Sequence, residues 1–539
     1  MTAPATVGLS RNAAGSEVPT AEVRAQPRWR TEDPLIGWTL ALAITGLAFF
    51  LRWWKLGTPH QFNFDETYYA KDAWSMLNHG YVRTYAENAD TTILDGSTSG
   101  SWQETPSMVV HPEVGKWIIA LGENAFGMDP FGWRIGAAVV GSWMVLLMCR
   151  FVRRVCGSTT LGLVGGLLLS LDGLQLVLSR LALLDIFLAF FVLLGVHCVV
   201  ADRQWFRARL AKGASGAVLR PWLLTAGVAF GLAVGTKWTA LFPLAAFGLL
   251  LTAWNYGARR AFQHPSALLK ALFVDGPVAF ASLVLVALVV YVSSWTGWLM
   301  NADEYEETLS NTQYTSYGGG SAWPTASEPD ASGTGEVTQS LRSLWQYHQD
   351  VYAFHSHFLN DSTHVYASKP GGWLLMSRPV GVDAQLDIQP GTKGCDAPAG
   401  STCIRQVLLL GNPLIWWAGS LALVFAVVRW VGGRDWRFGV AVVGVGSTWL
   451  PWLMYDDRPI FVFYAIACLP FLVLGLTLGL GRIVGSSNEP SPRRTTGVVV
   501  AGSYVVLVVL AFAWFWPVWT DQLITHSEWL RRIWFASWI

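Results

Sequence analysis

Residues 171–191 read LDGLQLVLSRLALLDIFLAFF, an apolar run broken only by Asp172, Gln175, Ser179, Arg180 and Asp185. Runs of this kind, long enough to cross a bilayer at roughly 17–25 residues, recur along the chain. They fall near 35–51, 134–152, 160–179, 183–200, 222–236, 238–254, 271–293, 408–428, 438–454, 459–480 and 496–519. The composition of the 539 residues agrees, with 52% hydrophobic and 14% charged and a mean hydropathy of +0.37, outside the range of ordinary soluble domains. Thirty Trp beside 15 Tyr and 27 Phe suit many membrane interfaces, where an indole buries its body and hydrogen-bonds with its N–H. The sequence therefore predicts an all-α, multi-pass membrane protein of about eleven transmembrane helices.

Orientation follows from the basic residues. With the N-terminus inside, segments 1–34, 150–158, 201–221, 255–270, 429–437 and 482–495 are cytoplasmic and hold 21 of the 37 Lys and Arg, as the positive-inside rule requires. Residues 1–34 are polar and rich in Ala, Pro and Arg, without the apolar core of a signal peptide, and are expected to form a disordered cytoplasmic tail. Residues 35–480 form the transmembrane module, followed over 481–539 by a cytoplasmic loop, the last span and an outer tail. Two outer segments, 52–133 and 294–407, are too long to be connectors, so function is expected there.

The first outer segment opens FNFDETYYAKDAW (62–74), where Asp65 and Glu66 stand together next to the end of the first span. Carboxylates near a low-dielectric boundary are costly unless paired or used, and one with a raised pKa suits base catalysis. The Asn63 to Glu66 spacing equally suits a helix cap. HPEVGKW places His111, Glu113 and Lys116 at the start of an amphipathic helix, and FGWRIG places Arg134 at the next span. Either cation meets an anionic headgroup or simply snorkels. Arg180 and Asp185 interrupt an outer hairpin, as a structural pair or as functional intramembrane charges, and Lys237 occupies the following outer turn. Carboxylates and cations on one face suit group transfer from a phospholipid-like donor.

Cys149, Cys156, Cys198 and Cys468 lie in or beside spans and read as packing residues. Cys395 and Cys403 share an outer loop in CDAPAGSTC and are expected to close a small disulfide.

In order, FDETYYAKDA, HPEVGKWIIALGENAFG with PFGWRIGAAVVG, LDGLQLVLSRLALLDIFLAFF, GLAVGTKWTALF, HVYASKPGGWLLMSRP and GNPLIWW resemble the protein O-mannosyltransferase family of C-type (GT-C) glycosyltransferases. The resemblance extends over residues 35–480. It implies an inverting transfer of mannose from polyprenyl phosphate mannose to Ser or Thr hydroxyls of secreted polypeptides on the extracytoplasmic face of the cell membrane, with acceptors met at the Sec translocon. Asp65 would be the general base and Glu66 would orient the acceptor. Lys116, Arg134 and Lys237 would hold the lipid phosphate, with Asp185 in support and His111 and Arg180 beside the substrates. His364, Tyr366, Lys369, Trp373 and Arg378 match the family motif in the long loop and would help close the donor site.

The 294–407 segment has no room for the MIR domain of eukaryotic members, so the chain looks like the actinobacterial form, with a carrier such as decaprenyl phosphate. FVFYAIACLP (461–470) lacks the histidine often seen in the family at this motif. No certain cofactor is implied, although Asp65, Glu66 and Asp185 would suit a Mg or Mn ion. No nucleic acid is expected; membrane lipids surround the chain. The alternatives are a relative using another lipid-linked sugar or acceptor, and a transporter of lipid-linked substrates. Against the transporter, there is no inverted repeat and the charges sit at span ends.

Overall fold

Helix starts are written into the chain as a capping residue followed by proline, which presets the first helical φ and needs no N–H partner. Asp129 precedes Pro130 and accepts the Gly132 N–H at 2.7 Å, Asn412 precedes Pro413 and accepts from Leu414 N at 3.2 Å, and Ser491 precedes Pro492 and accepts from Arg494 N at 3.2 Å. The resulting helices, Pro130–Cys156, Pro413–Val431 and Pro492–Trp519, belong to a bundle seen in a computed structural model. The structure describes residues 34–216, 218–317, 322–455, 457–485 and 489–539. The tail over 1–33 lies outside the described residues.

Seven helices among the described residues are long and apolar enough to cross a membrane: Leu35–Trp53, Pro130–Cys156, Leu184–Ala211, Trp238–Ala261, Ala267–Ser293, Pro413–Val431 and Pro492–Trp519. The other four expected spans appear as shorter helices, Thr159–Ser170, Pro221–Val234, Trp436–Trp449 and Leu469–Val484. The count of eleven full-length spans therefore does not stand on length.

The expected span 160–179 is interrupted for a local reason. The Asp172 side chain accepts from Gln175 N at 3.0 Å and begins a new short helix, Gly173–Leu178. Its other oxygen takes Asn412 N and Trp416 Nε1, each at 2.9 Å, fastening the hairpin to the Pro413 helix. Gly173 is needed here, because a Cβ would lie 2.1 Å from the Trp519 ring.

The Leu184–Ala211 helix is 89% buried over its apolar window and forms the axis, whereas Leu35–Trp53, Pro413–Val431 and Pro492–Trp519 are 22% buried and present side chains outward. This is the pattern of a bundle whose outer helices face lipid.

Beyond the helices, the outer segments carry small sheets. Arg83–Tyr85 pairs antiparallel with Trp102–Pro106. Val380–Ile388 pairs with Cys403–Leu409, which also pairs with Ile524–Thr525 from the C-terminal tail. The expected span over 408–428 accordingly begins at Pro413, since Leu408 and Leu409 belong to a strand. The tail is pinned further where Trp529 Nε1 donates to Gln406 Oε1 at 2.7 Å and Trp538 Nε1 to Met376 O at 2.8 Å.

Cys395 and Cys403 form a disulfide and are 4% and 1% exposed; the other four cysteines are free and buried. Denatured protein alkylated without reductant is expected to take up four labels, rising to six after reduction; six labels before reduction would contradict the bond.

Candidate active site

Phe64 has φ +53°, a left-handed conformation that a bulky residue adopts only when its surroundings enforce it. That turn sends the adjacent carboxylates of Asp65 and Glu66 to different partners as the Glu66–His79 helix begins.

Glu66 is fully buried and saturated. It accepts from Arg134 Nε at 2.8 Å, Arg134 Nη2 at 2.7 Å, Ala182 N at 2.9 Å and Asn63 N at 2.9 Å. The Asn63 contact realises half of the expected cap; Asp65, at the N-cap position, makes no side-chain cap bond. Arg134 spends its remaining donors on the carbonyls of Leu56 (3.3 Å), Pro59 (2.9 Å) and Gln61 (2.8 Å). Neither side chain has a group left for a substrate, so the expectations that Glu66 orients the acceptor and Arg134 holds phosphate give way to a scaffold role.

Arg180 departs from expectation too. It does not pair with Asp185 but donates to the carbonyls of Leu51, Arg52, Trp54 and Lys55 at 2.6–3.4 Å, closing the C-terminal end of the Pro34–Trp53 helix, where a cation also suits the dipole. Lys116 pairs with Asp72 at 3.0 Å and is 1% exposed. Its neighbour Gly115 lets this helix approach closely, since a Cβ there would lie 2.7 Å from Leu184 Cδ2.

Four of the expected residues do converge. Lys237 donates to both oxygens of Asp185, at 3.0 and 2.8 Å, and its ammonium lies 5.0 Å over the Tyr464 ring. Asp65, which remains partly exposed, feels both Lys237 and Asp185 and receives the Tyr69 hydroxyl at 3.3 Å. Burial pushes its pKa up to about 6; Lys237 and the Tyr69 hydrogen bond pull it down and Asp185 raises it. His111 completes the group: burial, then Lys237 and His355, hold it well below the usual histidine range, so it is neutral.

Around these stand residues the sequence reading passed over. His355 stacks on His111 with centroids 5.5 Å apart, donates from Nε2 to Val110 O at 3.2 Å, and accepts at Nδ1 from Arg458 at 2.9 Å. Burial, then Arg458, lowers its pKa to about 4. Arg458 lies between the Trp436–Trp449 and Leu469–Val484 helices, where the charge count that singled out Lys237 would have found it.

The long-loop motif divides. His364 is exposed and meets Phe64 edge-on at 5.8 Å, next to Asp65, and Tyr366 lies 6.0 Å from it. Lys369 is exposed at the start of the Pro370–Leu375 turn. Trp373 is fully buried, donates to Ser368 Oγ at 2.9 Å and packs on Trp452. Arg378 binds the carbonyls of Val365, Ser537 and Ile539, and so holds the C-terminal tail instead of facing the site.

Among the described residues no three His, Cys, Asp or Glu are grouped as metal ligands. Of the three carboxylates expected to suit a Mg or Mn ion, Glu66 is spent on Arg134 and both Asp185 oxygens are engaged by Lys237. The residues present do not fit such an ion.

Asp185, Lys237, Trp452 and Tyr464 line a small cavity of about 20 Å³, and a separate one of about 850 Å³ has Trp238, the residue after Lys237, in its wall. Its walls include Val234, Leu244, Ala287 and Leu288, with Tyr291 and His348 at its polar side. Tyr291 accepts from Trp238 Nε1 at 2.8 Å and is hydrogen-bonded to His348.

A carboxylate base candidate, a lysine held by a second carboxylate and an apolar cavity walled by the residue after that lysine, all on a helical membrane bundle, fit a membrane-embedded transferase for a lipid-borne substrate. Residues 42–293 match the family described as dolichyl-phosphate-mannose-protein mannosyltransferase, and residues 340–538 match the C-terminal four-helix region of protein-O-mannosyltransferase. The chain is 35% identical over 525 residues, 94% of each chain, to the polyprenol-phosphate-mannose–protein mannosyltransferase of Mycolicibacterium smegmatis. It is 31% identical, over 89% of this chain and 88% of the relative, to the corresponding enzyme of Corynebacterium glutamicum. A chain of the Saccharomyces cerevisiae protein O-mannosyltransferase Pmt1-Pmt2 complex shares its fold, with a TM-score of 0.68 at 14% identity over 95% of this chain and 94% of that one. The chain belongs to the protein O-mannosyltransferase family.

Replacing Arg134 by Met strands Glu66 as a buried, uncompensated charge, which costs about 3–5 kcal/mol. The variant is expected to unfold at clearly lower temperature, and Glu66→Gln in the same chain to recover part of the loss. An unchanged thermal midpoint for Arg134→Met would refute the scaffold role.

Proposed function

We infer that the protein transfers mannose from polyprenyl phosphate mannose to Ser or Thr hydroxyls of polypeptides, on the face of the membrane that carries the outer segments. The observation that carries this reading is Asp65, partly open and of raised pKa, facing a lysine clamped by Asp185, within a chain whose relatives bear this activity in their names.

Asp65 accepts the proton of the acceptor hydroxyl as its oxygen bonds to C1 of the mannose. The C1–O bond to phosphate breaks on the opposite face, and its electrons leave with the phosphate. A single displacement inverts the anomeric centre and needs no second nucleophile, unlike the retaining two-carboxylate scheme. Lys237 faces the departing phosphate. Its Asp185 clamp fixes the ammonium before the charge develops, so little reorganisation is needed during reaction. Arg458 and neutral His111 lie in the same wall. The apolar cavity beginning at Trp238 takes the first isoprene units of the carrier. His364, next to Phe64, lies over the acceptor side.

The 21 Lys and Arg of the segments 1–34, 150–158, 201–221, 255–270, 429–437 and 482–495 support an extracytoplasmic position for this site in the cell membrane. Emerging chains at the Sec translocon are then the nearest acceptors.

In an assay with purified protein, polyprenyl phosphate mannose and a Ser/Thr peptide, Asp65→Asn is expected to lower kcat roughly 10²–10⁴-fold. Near-parental turnover would rule out the base assignment. Parental kcat should fall as pH drops through about 6, where Asp65 becomes protonated. Stability runs the other way. A carboxyl whose folded pKa is raised from 3.8 to about 6 contributes fully below 3.8, and that contribution is lost as pH rises through 6. Asp65→Asn should thus be at least as heat-stable as the parent at pH 7.5. Lys237→Ala should cost roughly 10²-fold in kcat/KM for the donor, with Lys237→Arg in between; an unaltered donor dependence would remove the phosphate role.

A further inference from the structure

A second groove, of about 680 Å³, lies at the far end of the bundle from Asp65. Arg134 and Arg150 belong to the same helix, and 16 residues at 1.5 Å each separate them by about 24 Å. Leu146, Leu147, Phe190 and Leu194 line the groove, and Arg150, Arg153 and Arg154 lie along its rim. Spaced i, i+3 and i+4, the three guanidiniums share one helix face. Among the described residues no carboxylate lies within salt-bridge distance of any of them.

Their partners are neutral. Arg153 donates to Thr159 Oγ1 at 2.9 Å, while Arg154 donates to His197 Nε2 at 3.1 Å and Gln204 Oε1 at 3.2 Å. Arg150 lies 3.9 Å over the Trp38 ring and Arg154 lies 5.1 Å over Trp222. His197 accepts at Nε2 and so carries its proton on Nδ1; it lines the groove, is 8% exposed, and its Nδ1 has no acceptor. Three cations and a buried donor without an acceptor thus surround an apolar trough.

We propose that this groove binds an anionic phospholipid, its phosphodiester held by Arg150, Arg154 and His197 and its acyl chains lying along Leu146, Leu147 and Phe190. Charge complementarity selects an anion. The apolar walls select one that carries hydrocarbon over free phosphate. Trp38, 43% exposed, stands at the start of the Pro34–Trp53 helix beside Arg150, as indoles do where span ends meet headgroups. With the orientation proposed above, the lipid comes from the cytoplasmic leaflet, and the site stands apart from catalysis.

The test is native mass spectrometry and thermal unfolding of the full chain in nanodiscs of phosphatidylcholine, with and without phosphatidylglycerol. The parent is expected to retain phosphatidylglycerol selectively and to unfold at a higher temperature when it is present. The double variant Arg150→Gln/Arg154→Gln should bind it at least 10-fold more weakly and lose that thermal gain. Leu147→Trp, which fills the trough without removing a charge, should do the same; transfer activity of each variant in detergent reports that it is folded. Equal retention by parent and variants overturns the proposal. So does a parent that gains the same stability from inorganic phosphate alone, or one that binds the lipid only after residues 1–33 are removed, which would make the tail the occupant.

Discussion

The ion pair between Glu66 and Arg134 is the constraint on which the site depends. Both side chains are fully buried, and in such surroundings each charge is tolerable only because the other, with a complete set of hydrogen bonds, compensates its desolvation. The bonds reach three separate stretches: the loop from Leu56 to Asn63, the start of the Pro130–Cys156 helix, and the hairpin at Ala182. Fixing those stretches together fixes the start of the Glu66–His79 helix, and hence Asp65.

From that anchor the two neighbouring carboxylates divide the work. Glu66 is bound by a guanidinium and two backbone N–H groups and has no capacity left over. Burial raises the pKa of Asp65, and Lys237, already engaged by a third carboxylate, offsets only part of that rise. A base with a pKa near 6 is ionised at neutral pH yet close enough to it to take a proton usefully. In the proposed reaction Asp185 acts on the leaving phosphate only through Lys237, whose ammonium it holds in place.

The apolar runs were legible because lipid-facing and buried helix surfaces are both hydrophobic, so composition alone marks them. Where Asp172 and the Asn412–Pro413 dipeptide cap new helices, capping chemistry cut or shifted the runs, and the signal was present in SLDG and GNPL. Asp65, Asp185 and Lys237 could be singled out because charges at span ends are costly. Their pairings could not. Arg134 is a lone cation beside a span in the sequence, and only folding brings it to Glu66, 68 positions earlier; the same holds for Arg180 and the carbonyls near 51–55. The strand Ile524–Thr525 is too short to read locally and exists because Cys403–Leu409 offers it an edge.

The central claim is that Asp65, raised by burial, titrates near pH 6. Infrared difference spectra of the purified protein between pH 4.5 and 7.5, comparing parent, Asp65→Asn and Glu66→Gln, measure it directly. The account predicts that the protonated-carboxyl intensity titrating near pH 6 in the parent falls by one carboxyl in Asp65→Asn, the remainder belonging to other buried carboxyls such as Asp521, and is undiminished in folded Glu66→Gln. An intensity unchanged in Asp65→Asn would contradict it.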